Sequence, residues 1–243
     1  MNMPRSVCAE TLDGLAANDP LALGSRRDLR RIHRVMGSRA IVARGWRALW
    51  PAGPPPGPLQ VLELGAGDGT LLLAVARSLA PDWPAVALTL LDRQHLISAT
   101  TLAGYAEVGW RVQVLAMDAL DWAATAHPAP WDLVITSLFL HHFESPQLDL
   151  LLHAVAARSP RFFALEPRRA RLALAGSQLV GAIGANVVTR EDAVLSVRAG
   201  FCGHELGQHW PGRRGRSNRW LCREYAAGFF SHCFSAQRAE VGN

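Results

Sequence analysis

The chain of 243 residues contains no lysine, so all 25 of its basic residues are arginine. A P-loop, which needs a lysine to reach the phosphates of a bound nucleotide, is excluded. Cysteine is scarce: Cys8, Cys202, Cys222 and Cys233 show no C-x-x-C spacing, and no signal peptide precedes them. A disulfide framework and a zinc site are therefore not expected, whereas free thiols in a cytoplasmic setting are. No apolar run approaches the roughly 18 to 20 residues that span a bilayer. Charged residues make up only 19% against 49% hydrophobic, a balance that supports a sizeable core and argues against global disorder. There is no internal repeat, and the one low-complexity run is the Pro/Gly stretch Pro51 to Pro58. The arginine excess, beside Ala, Gly, Pro and Trp richness, reads first as the codon bias of a G+C-rich genome.

What is present centres on Val61-Leu62-Glu63-Leu64-Gly65-Ala66-Gly67-Asp68-Gly69-Thr70. A buried strand runs into a glycine turn, and the turn into the apolar helical run Leu71 to Leu79. Glycine is needed where the backbone takes a positive φ or approaches a ligand so closely that a Cβ would collide. Three at alternate positions, framed by Glu63 and Asp68, predict a ligand cradle. The dinucleotide fingerprint G-x-G-x-x-G does not fit, because Thr70 stands at its third glycine and two carboxylates would repel a pyrophosphate. Carboxylates at both ends suit a ligand with a cationic end and hydroxyls.

Around this motif, strands are predicted at Gln60–Leu64, Val86–Leu91, Arg111–Leu115, Asp132–Ser137 and Arg161–Leu165. Helices are predicted at Thr70–Leu79, Gln94–Val108 and Gln147–Arg158. Such alternation implies βαβ units and a parallel sheet covered on both faces, with ligand loops at the carboxyl ends of the strands. From Asp28 to Leu49 apolar residues recur at helical spacing, split at Gly37-Ser38, and eight arginines between Arg26 and Arg47 occupy the other face. That face is either a solvated surface or a basic lid. Residues 1 to about 25 read as irregular, with Asn18-Asp19-Pro20 a turn or helix start. Thr189-Arg190-Glu191-Asp192 begins a further helix to about Ala199, and two final strands are placed near Cys202–His209 and Phe229–Gln237. Between them the segment 211–228, with five arginines and Trp220, reads as a hairpin extension; phosphate pairing and base stacking by such a loop are the alternative.

Three further positions carry chemistry. Asp92, at the end of the second strand, can accept both hydroxyls of a ribose or cap a helix. Asp118 closes the third strand. The run Trp131 to Phe143 is a buried strand that ends in small polar residues and then an apolar turn bearing His141 and His142. Glu166-Pro167-Arg168 follows the fifth strand, and an ion pair between Glu166 and Arg168 is expected.

The spacing Glu63-x-Gly65-x-Gly67-x-Gly69 resembles the first motif of class I S-adenosylmethionine (SAM)-dependent methyltransferases, of the small-molecule group with a type 11/12-like domain. The likeness runs over about residues 55 to 240. It implies an α/β fold: a Rossmann-like seven-stranded sheet, mostly parallel with one antiparallel strand, helices on both faces and an N-terminal helical cover. Residues 1–54 would be the cover. Residues 55–243 would be the SAM domain, with a cover helix near 168–184. It further implies SAM as cofactor and S-adenosylhomocysteine (SAH) as product. The cofactor would be held by Glu63, Gly65, Ala66, Gly67, Gly69, Asp92 at the ribose, Arg93, Asp118 beside the adenine, Ala119 and Ser137. His141 and His142 are the candidate catalytic residues beneath the methyl group, and no metal is expected because no acidic cluster is visible. The Asn-Pro-Pro-Tyr run of amino-group enzymes and a Pro-Cys nucleophile are both absent at the fourth strand. The expected acceptor is a small hydroxylated molecule, aromatic or polyketide-like, free or tethered to an acidic carrier protein, with O-methylation favoured. RNA or protein methylation and a non-catalytic SAM-binding role are the alternatives.

Overall fold

The computed structural model describes residues 3–125, 131–212 and 220–239. A short helix α1 (Thr11–Gly14) precedes α2 (Pro20–Val35) and α3 (Ser38–Ala48). Helix α2 starts eight residues earlier than the apolar spacing predicts. Asp19 caps it, accepting from the Leu21 and Ala22 amides at 2.7 and 3.4 Å, and Pro20 supplies the fixed φ of a first helical position. The periodicity is hidden there because Leu21 and Leu23 face solvent. Gly37 divides α2 from α3 in the left-handed conformation (φ 67°), at the predicted break.

Next come β1 (Leu59–Leu64), α4 (Thr70–Leu79), β2 (Val86–Asp92), α5 (Ala99–Glu107), β3 (Arg111–Ala116), α6 (Ala119–Ala124) and β4 (Leu133–Ser137). A 3-10 turn over Leu140–His142 leads into α7 (Ser145–Arg158), β5 (Arg161–Pro167), α8 (Arg171–Gln178), a second 3-10 turn, α9 (Val187–Ala199), α10 (Glu205–His209), β6 (Trp220–Ala227) and β7 (Ser231–Arg238). The seven strands lie in the order β3-β2-β1-β4-β5-β7-β6. Strands β1 to β5 pair in parallel, and β7 runs antiparallel to both β5 and β6. This is the expected Rossmann-like sheet with one reversed strand. Helix α5 starts at Ala99 and not at Gln94, capped by Ser98, which accepts the Thr101 amide at 3.1 Å.

The carboxyl-terminal strands correct the expectation. Residues 202–209 do not form a strand. Gly203 takes a positive φ (61°) that breaks extension, and the Leu206 and Gly207 amides turn inward to the Glu224 carboxylate at 3.0 and 2.9 Å, which builds the short α10. The missing strand is β6, inside the segment predicted as a hairpin extension. Its residues alternate between half-buried and exposed from Trp220 to Tyr225, a period of two that the arginine count obscures. Residues 213–219 of that extension lie outside the described residues.

Apolar side chains form a core on each face of the sheet. Helices α3 and α4 pack Trp46, Leu72, Val75 and Leu79 against Val61, Leu88 and Phe163 on one face. Helices α6, α7 and α10 pack Trp122, Leu148, Leu152 and Leu206 against Leu62, Val134 and Phe162 on the other. The predicted N-terminal cover thus divides in two. Helix α3 belongs to the core, with Trp46 fully buried in a group of tryptophans that includes Trp50 and Trp110. Only the chain before it lies over the strand ends.

Candidate active site

The strand order reverses between β1 and β4, and the loops leaving their carboxyl ends part there to open a crevice, the usual ligand position in open α/β sheets. A cavity of about 750 Å³ occupies that point, within the range of small-molecule and cofactor sites. Its walls include Glu63, Gly65, Ala66, Gly67, Asp92, Arg93, Asp118, Ala119, Ser137, His141 and His142. Gly69 is the predicted site residue that does not line it. Gly69 takes φ 69° to start α4, and its carbonyl accepts the Tyr105 hydroxyl at 2.9 Å.

The glycine turn is shaped by two separate needs. A Cβ on Gly65 would stand 2.2 Å from the Phe139 ring, so this glycine admits the aromatic wall of the cavity. A Cβ on Gly67 (φ 56°) would meet nothing within 4 Å, so the backbone there faces open space. Asp92 spans the two loops. It accepts the Gly67 amide at 2.9 Å and the Gln94 amide at 2.9 Å, which fixes its carboxylate at the cavity wall. Asp68 folds back on the start of α4, accepting the Thr70 amide and hydroxyl, and its other oxygen binds Arg30 of α2 at 2.8 Å. Arg26 and Arg30 line the cavity, whereas Arg27, Arg31, Arg34, Arg39, Arg44 and Arg47 face solvent. The arginine-rich face is therefore mostly a solvated surface, with one cavity-facing edge.

Two cavity groups lack partners. Glu63 is 3% exposed, and its Oε2 has no hydrogen-bond partner. Burial, with the charges of Asp92 and Asp68 added, pushes its carboxyl well above the usual range. A cation in the cavity would reverse that. His33 on α2 has an enclosed, unpartnered Nδ1, and burial, partly offset by Asp68, lowers the ring to about 4, so it is neutral. In the sequence His33 reads only as an apolar position of a helix.

The histidine turn is organised by Glu166, fully buried at the end of β5. Its carboxylate accepts the amides of Phe139, Leu140 and His141 at 3.1, 2.8 and 3.3 Å and His141 Nδ1 at 2.9 Å. The expected pair with Arg168 does not form; Arg168 donates to the Gly228 carbonyl. Three backbone donors and an imidazole that converge on one buried carboxylate explain the choice. Leu138 bends the chain with φ 54°, held by its amide on the Leu165 carbonyl at 2.7 Å. Asp118 accepts the Leu120 amide at 2.7 Å and so caps α6 while still lining the cavity.

The N-terminal segment, read from sequence as irregular, closes the cavity. Arg5 donates to the carbonyls of Phe143 and Ala199 at 2.8 Å each, pinning the segment beside the histidine turn. Glu10 Oε1 meets His141 Nε2 at 3.3 Å and also accepts the Ser196 hydroxyl. The Thr11 and Leu12 amides donate to Asp192 of α9 at 2.8 and 2.9 Å. Asp13 Oδ2 stands 3.4 Å from His142 Nδ1, and Arg93 donates to the Asp13 carbonyl at 2.6 Å. The Arg93 side chain is thus engaged with this strap. No sequence signal marks Glu10 or Asp13, because their partners stand 80 to 186 residues away along the chain.

These contacts give the two histidines opposite character. Burial alone would lower His141, but hydrogen bonds to Glu10 and Glu166 and their charges raise it to about 9. His142 is lowered by burial and by the charge of His141, whose ring lies 4.2 Å away. His141 therefore holds its proton more tightly than an ordinary histidine, and His142 gives its proton up more readily. Donor atoms of Glu10, His141 and His142 come within 4.8 Å of one another, a metal-type grouping not visible in the sequence. Both ring nitrogens of His141 already face carboxylates, so the trio is closed as a hydrogen-bonded network.

Comparison with known proteins agrees with this geometry. Residues 61–158 match the family model of a methyltransferase domain. No curated protein matches the chain in sequence. The plantazolicin methyltransferase BpumL in complex with SAH aligns with a TM-score of 0.63 at 12% identity, covering 91% of this chain and 92% of that one. Magnesium protoporphyrin IX methyltransferase (ChlM) from Synechocystis PCC 6803, with bound SAH, aligns at 0.51 and 15%, covering 88% and 86%. An O-methyltransferase family protein from Burkholderia thailandensis aligns at 0.51 and 16%, covering 87% of this chain and 57% of that one. The chain has a Rossmann-like fold of the methyltransferase type, and residues 61–158, which hold most of the glycine motif, are similar to a methyltransferase domain.

Proposed function

We propose that the chain transfers a methyl group from SAM to a small hydroxylated acceptor, with O-methylation favoured. The observation that carries this reading is the pairing, in one cavity, of the Asp92-braced glycine turn with a neutral histidine beside a charged one. The residues present fit SAM on two counts. Gly67 leaves open the space that a side chain would fill. Glu63 offers a buried carboxylate oxygen without a partner to a cationic ligand. Asp92 would hold the ribose hydroxyls, Gly65 to Gly67 and Glu63 the amino-acid end, and Asp118 with Ala119 the adenine side. SAM supplies a methyl group already activated on a sulfonium.

The chain's own work is positioning, exclusion of water and proton handling. Alignment of reactants can lower a barrier by several kcal/mol. Phe139 and Phe143, with ring centroids 5.0 Å apart, both line the cavity and suit a flat apolar acceptor. The strap covers the site. A phenolic hydroxyl has an ordinary pKa near 10, so a base beside it accelerates attack by roughly 10² to 10⁴. His142, neutral and 22% exposed, is the base; His141, charged and 2% exposed, is not.

Isothermal titration with SAM and SAH tests the cofactor. One molecule should bind per chain, and Gly67→Asp, which drives a carboxylate into the open space, should abolish it. Absence of heat and of thermal stabilisation with both ligands would end the reading.

A further inference from the structure

We propose that Asp13 of the strap is the positioning carboxylate for His142, so that the proton-accepting pair is complete only when residues 10–13 are docked over the cavity. The inference rests on the methyl-transfer reading above and adds a residue and a condition to it.

Asp13 Oδ2 faces His142 Nδ1 at 3.4 Å. A carboxylate at one ring nitrogen places the proton there and leaves the other nitrogen as acceptor, the arrangement that orients histidine bases and ligands generally. The separation is longer than a made hydrogen bond, as catalytic contacts often are before the reactants bind. His141 cannot take the role, because Glu166 and Glu10 occupy both of its nitrogens at 2.9 and 3.3 Å. The acceptor hydroxyl would pass its proton to Nε2 of His142, and solvent would receive it after the product leaves.

The condition follows from how the strap is held. Four consecutive residues supply polar ties: Glu10 to His141 and Ser196, the Thr11 and Leu12 amides to Asp192, and Asp13 to His142 and Arg93. No residue of α1 is buried. An element held mainly by polar contacts, with its leucines Leu12 and Leu15 only half-buried, belongs to the low-stability end of a fold and can open without unfolding the rest. The strap lines the cavity, and any opening of it takes Asp13 away from His142.

The charged groups that face His142 are Asp13 and Glu10 from the strap, His141 beside it on the turn, and Glu166 from β5. The carboxylates hold its proton and His141 drives it off. Removing Asp13 therefore moves the acidic limb of the rate profile to lower pH.

The test compares Asp13→Asn, Asp13→Glu, His142→Gln and the Asp13→Asn/His142→Gln double variant with wild type. Readouts are SAM affinity, kcat, acceptor KM and the pH profile of kcat. Asp13→Asn should keep SAM affinity and acceptor KM, lose on the order of 10²-fold in kcat, and shift the acidic limb downward. Asp13→Glu should recover part of the loss, and the double variant should be no slower than His142→Gln. An Asp13→Asn enzyme with full kcat and an unmoved limb, or losses that multiply in the double variant, overturns the proposal. Nitrogen-15 NMR of the His142 ring reads the same contact without turnover, so failure of methyl transfer is told apart from failure of the pair. The Nδ1–H tautomer in wild type supports the proposal, and the Nε2–H tautomer refutes it.

Discussion

Replacing His141 by glutamine should flatten the dependence of stability on alkaline pH. In the folded chain His141 is held at about 9 against an ordinary 6.5, a difference worth about 3 kcal/mol. The sign is that of a group bound more tightly to its proton in the folded state. Its stabilisation is complete below about 6.5, where the unfolded chain is protonated too, and is lost as pH rises through about 9. Glu10 behaves in the opposite sense. Burial raises its carboxyl, but the hydrogen bond and charge of His141 outweigh that and hold it below 4.5, so its contribution fades as pH falls below that value. The network is therefore strongest between the two limits. Urea unfolding of wild type and His141→Gln at fixed ionic strength, from pH 6 to 9.5, isolates the histidine. Wild type should lose about 3 kcal/mol relative to the variant across that window, or roughly 6 to 12 °C in Tm for a chain of this size. Parallel stability curves would refute a charged His141 between Glu10 and Glu166.

Two further outcomes follow from the same contacts. Asp92→Ala removes the acceptor of the Gly67 amide and the proposed ribose partner, and should weaken SAM by about 1.5 to 3 kcal/mol, or about 10- to 150-fold in Kd by titration calorimetry; unchanged affinity would take Asp92 out of the site. A chelator should leave turnover unchanged, because both nitrogens of His141 are engaged by carboxylates. Loss of activity on chelation, restored by a divalent cation, would instead make Glu10, His141 and His142 an ion seat.

The sequence made legible what depends on near neighbours. Helix α4 falls on its predicted bounds, and β1 to β5 differ from theirs by one or two residues, because strand burial and glycine turns are written in consecutive positions. The glycine turn and both histidines were legible for the same reason. What escaped depends on distance along the chain. Glu10 reaches His141 across 131 residues, and nothing around Glu10 differs from a solvated acidic residue. Glu166 stood beside Arg168 in sequence, yet the fold offered it three amides and an imidazole of the turn after β4, a stronger set than one surface guanidinium. Helix α10 was missed because the distant Glu224 carboxylate fixes it and leaves no local period, and strand β6 because the arginines around it obscure its period of two.

The central claim is methyl transfer from SAM to a small molecule. Its most direct measurement is incubation of the protein with methyl-labelled SAM and an extract of its source cells, followed by separation of small molecules from macromolecules. Label is expected in an extractable small molecule, whose mass gives the product, and should be lost in Gly67→Asp. Label confined to RNA or protein, or none transferred while SAM stays bound, would contradict it.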